Sequence, residues 1–145
     1  MISDQDAAVL EGILRREGRS LLQYISEAFP WIAAGTDETL TKLQQLTRAE
    51  RDTVTAVGRF LARQRRTVPF LGAFPMTFFS MNFVSLDYLL PRLVETERQA
   101  LALLEGDRSV LRDAAAVAEV DRTLAQKRQH LHILEALTAT PAAAK

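Results

Sequence analysis

Residues 67–82 read TVPFLGAFPMTFFSMN, a stretch with two prolines and four of the chain's seven phenylalanines. Helix-forming patterns flank it on both sides, so it has to be a connector, and a connector this apolar wants to be covered. At about 3.3 Å per residue, some fifteen extended residues match the length of a helix of roughly 25 residues rising about 1.5 Å each. The segment can therefore run the full length of a helical bundle, and a crossover packed along the bundle is the first reading. A contact between two copies is the second and a membrane patch the third. The run is too short and too often interrupted by proline to span a bilayer.

Outward from the connector, the rest of the chain reads as helix. Asp4 can cap a first helix that runs to about Phe29, where Pro30 stops it, and Thr36 or Asp37 can cap a second reaching about Arg66. A third is expected from about Thr77 to Glu105, ending at Gly106, and bent at Pro91 because Phe83, Leu86, Leu90, Leu93, Glu97 and Leu101 keep helical spacing through it. A fourth runs from about Asp107 to Thr138. No segment has strand periodicity. One domain, residues 1–138, followed by a flexible tail, 139–145, accounts for the chain.

Two stripes carry an unexpected charge. Leu10, Ile13, Leu14, Leu21, Ile25 and Ala28 define the inner face of the first helix, and Glu17 and Tyr24 fall in the same seam. Leu43, Leu46, Val54, Val57 and Leu61 do the same for the second, with Glu50 near the centre of their face. Each glutamate lies close to the midpoint of its helix, so antiparallel neighbours would bring the two level. An isolated buried carboxylate costs several kcal/mol, so each needs a proton, a cation or a metal.

Composition narrows the function classes. The chain has 145 residues, 48% of them hydrophobic, enough for one domain with a real core. Eighteen basic and eighteen acidic residues cancel, which argues against a dedicated nucleic-acid or polybasic membrane binder. Arg59, Arg63, Arg65 and Arg66 close the second helix, where cations complement its macrodipole. The absence of cysteine removes disulfides, thiolate catalysis and cysteine-held metals. The opening MISDQDAAVLEG shows no basic and then apolar targeting pattern, so a cytoplasmic address is expected. No G-x-S-x-G, phosphate-cradling glycine loop or H-E-x-x-H is present.

Two helical hairpins joined by a long crossover resemble the ferritin-like superfamily, most closely its rubrerythrin-type branch. The segment from Glu17 to Tyr24 resembles the first-helix motif, a glutamate seven residues before a tyrosine. Ala49-Glu50-Arg-Asp-Thr53 resembles the second-helix E-x-x-H with Thr53 in place of the histidine. The stretch from Val117 through Asp121 and Leu124 to Arg128 is similar to the fourth helix, with Asp121 for the glutamate and Leu124 for the histidine. The third helix matches least: Asp87 is the only carboxylate near the family position, and Glu97 faces the core more squarely. The resemblance implies an all-α, ferritin-like four-helix bundle and a dinuclear iron or manganese site held by carboxylates and histidines. Both family histidines are missing.

His130 and His132 are two positions apart and cannot converge on one metal from a single helix; His130 lies nearer the inner face and reads as a hydrogen-bonded structural residue. Lys127 or Arg128 could turn inward and hold Glu17 or Glu50 as a buried ion pair. Alternatively, Glu17, Glu50, Asp121 and Asp87 could offer an oxygen-only site to magnesium or manganese. Glu95 and Glu119 fall on outer faces, and Trp31 would plug the bundle end. The preferred expectation is a bundle whose metal site is lost or reduced and that needs no cofactor, acting as a binding or assembly module. The alternatives are a carboxylate-bridged di-iron or di-manganese oxidoreductase, and a structural homodimer built on the connector. A homo-oligomer is expected, and Phe70, Phe74, Phe78 and Phe79 are the residues a protein partner would meet.

Overall fold

Small oxygen-bearing side chains set the helix starts. Ser3 Oγ accepts the amide hydrogen of Asp6 and begins α1, Asp4–Gly18. Ser20 Oγ accepts from Gln23 N and begins α2, Leu21–Ala28. Ser85 Oγ accepts from Tyr88 N at the head of α4, Leu86–Val110, and Asp113 Oδ2 accepts from Ala116 N at the head of α5, Ala114–Ala139. α3 spans Asp37–Arg63. The computed structural model describes residues 1–28, 37–82 and 84–139, and among them there is no strand. Trp31, Thr36, Phe83 and residues 140–145 lie outside the described residues, as do the side chains of Ala28 and Asp37.

Several boundaries differ from those expected. The first helix is two, because Arg19 departs from helical backbone and Ser20 supplies a new cap. A Cβ on Gly18 would stand 2.6 Å from Leu71 Cδ1, so this glycine is the notch in which the connector sits. Ser3 rather than Asp4 is the first cap, and Asp4 instead pairs with Arg66 at 2.6 Å. Gly106 does not end its helix, which continues to Val110. α3 closes at Arg63 in a Schellman arrangement: Arg66 N donates to Leu61 O, Arg65 N donates to Ala62 O, and Arg65 takes the left-handed conformation at φ 57°. Met76–Met81 forms a short 3-10 helix instead of the first turns of α4. Pro91 stays inside α4, leaving the carbonyl of Asp87 without its usual donor.

The main contacts run α1 to α3, α3 to α5, α5 to α4 and α4 to α1. The chain between α3 and α4 touches both ends of this array. At one end Gln64 accepts from Ile2 N and Arg66 donates to Ile2 O. Farther along, Arg19 Nε donates to Gly72 O at 2.6 Å and its guanidinium lies over the Phe74 ring. At the other end Tyr24 Oη donates to Asn82 Oδ1 at 2.7 Å, and its ring meets Phe74 and Phe78. Phe70 is 90% exposed, and Val68, Met76 and Phe79 are exposed as well, so the connector's apolar side chains are only partly covered. Among the described residues no helix is long and apolar enough to cross a membrane.

The apolar core comes in two pieces. One gathers Leu10, Leu14, Val57, Leu61, Leu104 and Leu124, and the other Leu21, Leu46, Leu90, Leu93, Val94 and Leu134. In each helix line the break between the pieces falls at the same height: Glu17 between Leu14 and Leu21, Glu50 between Leu46 and Val57, Glu97 between Val94 and Leu104, Lys127 between Leu124 and Leu134.

Candidate functional site: a buried ammonium among three carboxyls

The break is filled by a polar layer. Lys127 is only 2% exposed, and its Nζ lies 2.6 Å from Glu17 Oε1, 3.0 Å from Glu50 Oε1 and 3.0 Å from Glu97 Oε2. An ammonium has three hydrogens to donate, and each finds a carboxyl oxygen from a different helix line. The second oxygen of Glu50, Oε2, lies 2.8 Å from His130 Nδ1. A carboxylate only accepts, so Nδ1 carries that hydrogen. Glu17 Oε2 and Glu97 Oε1 are buried without hydrogen-bond partners, the nearest cation to Glu17 Oε2 being Arg16 Nε at 3.9 Å.

One ammonium cannot balance three carboxylates in a water-poor interior, and the protonation states reflect this. For Glu50, burial pushes the pKa up, but hydrogen bonding to His130 and the charge of Lys127 outweigh it, holding the group well below the usual carboxylate range. Glu97 goes the other way. Burial, then the negative charge of Glu50, raise it to about 9 against the opposing pull of Lys127, so it is a neutral acid at pH 7. Lys127 is lowered by burial but raised more by Glu50, Glu17 and Glu97, and it stays an ammonium. An ammonium held by three carboxyl oxygens has no lone pair to offer as a nucleophile.

The sequence candidates divide cleanly. Glu17, Glu50, Glu97, Lys127 and His130 share the layer. Asp121 does not: six residues before Lys127 on α5, it is out of phase with the buried face, stays half-exposed, and makes a double hydrogen bond with Arg108. Asp87 sits exposed in the first turn of α4, where it complements the helix dipole. Arg128 is rotated about 100° from Lys127 and pairs with Glu105 at the surface. Tyr24 is buried but turns its hydroxyl to Asn82, and Thr53 bonds to Gln126 Oε1 at 2.6 Å beside the layer. Glu95 is exposed as expected, whereas Glu119 is buried, 2.7 Å from Arg122 and 3.8 Å from Arg63.

Sequence reasoning also passed over Asp6. It is 1% exposed, and its carboxylate accepts from the amides of Arg112 and Asp113, tying the α4–α5 turn to α1. Two acidic residues in a first helical turn signal only dipole complementation, so nothing local announces this long-range role.

Beside the layer is a hollow with about 10 Å³ of room for water centres, bordered by Glu17, Glu50, Thr53 and Lys127 among others. That is the size of one water, not of a substrate. Among the described residues no group of three or more His, Asp or Glu is arranged to hold a metal ion. The donor set explains why: Nζ occupies the centre of the three carboxyls, and His130, the imidazole of the layer, is hydrogen-bonded to Glu50. These residues do not fit a dinuclear metal centre. No family model, curated protein or solved structure matches the chain.

Proposed function

We propose that the chain is a ferritin-like four-helix bundle, two hairpins joined by a crossover, in which a lysine ammonium takes the place of the metals and the protein works as a binding or assembly module. The observation that carries this reading is the position of Lys127 Nζ, within 3.0 Å of Glu17, Glu50 and Glu97 at once. The contacts of the chain between α3 and α4, with Ile2 at one end and Tyr24 at the other, support the crossover. A catalytic carboxylate metalloprotein would need its ligands free to bind metal, and here they are already bonded to a cation.

The test is a metal titration followed by thermal unfolding. Saturating manganese or ferrous iron is expected to leave the melting temperature unchanged. Metal held at the layer would instead stabilise the fold by mass action, about 2.7 kcal/mol at a hundredfold excess over its dissociation constant. A gain of that kind, lost in Glu17→Gln and Glu50→Gln, would overturn the reading in favour of an iron or manganese oxidoreductase. The exposure of Phe70, Met76 and Phe79 favours a second role for the connector, as a surface covered by another copy of the chain. Light scattering of Phe70→Ser against the parent protein tests this, and a concentration-independent monomer in both would refute it.

A further inference from the structure

A groove runs between the connector and α3. Two adjoining hollows of about 210 and 320 Å³ share Val54, Thr55 and Leu71. The larger is apolar, walled by Leu14, Gly58, Ala62, Val68 and Pro69, with Arg59 beside it. The smaller is cationic, lined by Arg19 and Arg51 together with Gln23 and Phe74.

The charge in this groove is unbalanced. Among the described residues eight arginines elsewhere pair with carboxylates. Arg19 instead donates from Nε and Nη1 to the carbonyls of Gly72 and Gly18, and Arg51 donates from Nε and Nη2 to Gln23 and Ser26. A guanidinium has five N–H groups in a planar fork, so Arg19 Nη2 and Arg51 Nη1 keep theirs for an anion. Asp52 adjoins Arg51 on α3 but is not part of the lining, and among the described residues no carboxylate is. An apolar trough with a cationic head selects an anion that carries a hydrocarbon chain. From Arg51 to Ala62 the trough is roughly 16 Å long at about 1.5 Å per residue, room for an extended chain of up to about thirteen carbons.

We propose that this groove binds a free fatty acid, its carboxylate at Arg19 and Arg51 and its chain lying along Val54 and Gly58 beneath Val68 and Leu71. The proposal rests on the binding-module reading and names the ligand class of that module.

Calorimetric titration of the full-length protein with decanoate, below its micelle concentration, tests it, with 1-decanol as the uncharged control. Saturable one-to-one binding of decanoate is expected, with decanol about tenfold weaker or more. Arg51→Gln should weaken decanoate about tenfold while leaving decanol unchanged. Gly58→Leu should abolish binding of both. A Cβ at position 58 meets only Val68 Cγ1, at an ordinary 3.7 Å, so the new side chain can enter the trough without displacing backbone, and unchanged circular dichroism checks that it has. Absence of saturable binding, equal affinity for decanol, or full affinity in Gly58→Leu would each overturn the proposal. A manganese titration of the same samples keeps the two readings apart. Decanoate binding alongside a metal-dependent rise in melting temperature would refute only the ammonium-centred reading, and no decanoate binding with no metal effect would refute only the groove.

Discussion

Lys127 and Arg128 are consecutive residues of α5, and each bonds to glutamate on α4, yet the two pairs live under opposite physics. Lys127 is sealed between Glu17, Glu50 and Glu97, whereas Arg128 meets Glu105 with both side chains about half exposed. In water a charge pair gains little, because solvent screens it and two long side chains lose freedom to form it. In the interior the same attraction is strong, but so is the cost of dehydrating each partner. The difference teaches that one helical step, about 100°, decides whether a cation shapes the core or decorates the surface.

The largest effect is expected from removing the buried cation. Lys127→Met should leave Glu17 and Glu50 without their ammonium partner and destabilise the fold by roughly 3 to 5 kcal/mol, as broken buried pairs do. Chemical denaturation measures this directly, and a loss below about 1 kcal/mol would mean that the carboxyls simply take up protons. Adding Glu17→Gln and Glu50→Gln to Lys127→Met should restore part of the loss, since the stranded charges are then gone.

An intermediate effect separates the carboxyls from one another. Glu50→Gln should cost about 1 to 3 kcal/mol, because Lys127 and His130 both lose an ionised acceptor. Glu97→Gln should cost less than about 1 kcal/mol at neutral pH, since a neutral amide replaces a neutral acid. The pH profile tests the same contrast. Glu97 titrates at about 9 in the folded chain against an ordinary 4.5, so its contribution is complete below pH 4.5 and is lost as pH rises toward 9. Glu50 is shifted down, so its contribution is present above 4.5 and is lost as pH falls below that value. Melting temperatures between pH 5 and 9 should therefore decline in the parent and be flatter in Glu97→Gln. Parallel slopes in the two proteins would show that Glu97 is ionised.

The smallest effects are expected at the surface. Arg128→Ala and Asp121→Asn should leave the melting temperature unresolved from the parent, because solvent screens both of their ion pairs. A loss approaching that of Lys127→Met at either position would erase the distinction between the two regions.

Much of this layer could be read from helical phase alone. Glu17, Glu50 and Glu97 interrupt apolar stripes at i±3 or i±4 spacing, whereas on the last helix both Lys127 and Arg128 flank the inner face and the structure turns Lys127 inward. Asp121 and Asp87 entered the candidate set by likeness to a family motif, against that phase, and the phase prevailed. Helix boundaries were less legible. Gly106 looks like a stop, but a helical glycine costs only about 1 kcal/mol, which α4 packing against α5 offsets. The close fit of Gly18 against Leu71 spans some fifty residues, and the burial of Asp6 depends on a turn more than a hundred residues away. Interactions of that range leave no local periodicity to find.

The cation at the centre of the four helix lines has one further property: it is tethered. Four methylene groups fix the ammonium's local concentration at the carboxyls, and dilution does not lower it. A bound ion would come and go with its supply and could be stripped by a chelator, making folding conditional on the surroundings. Here the counter-ion is encoded, translated and buried with the chain, so every folded copy carries it.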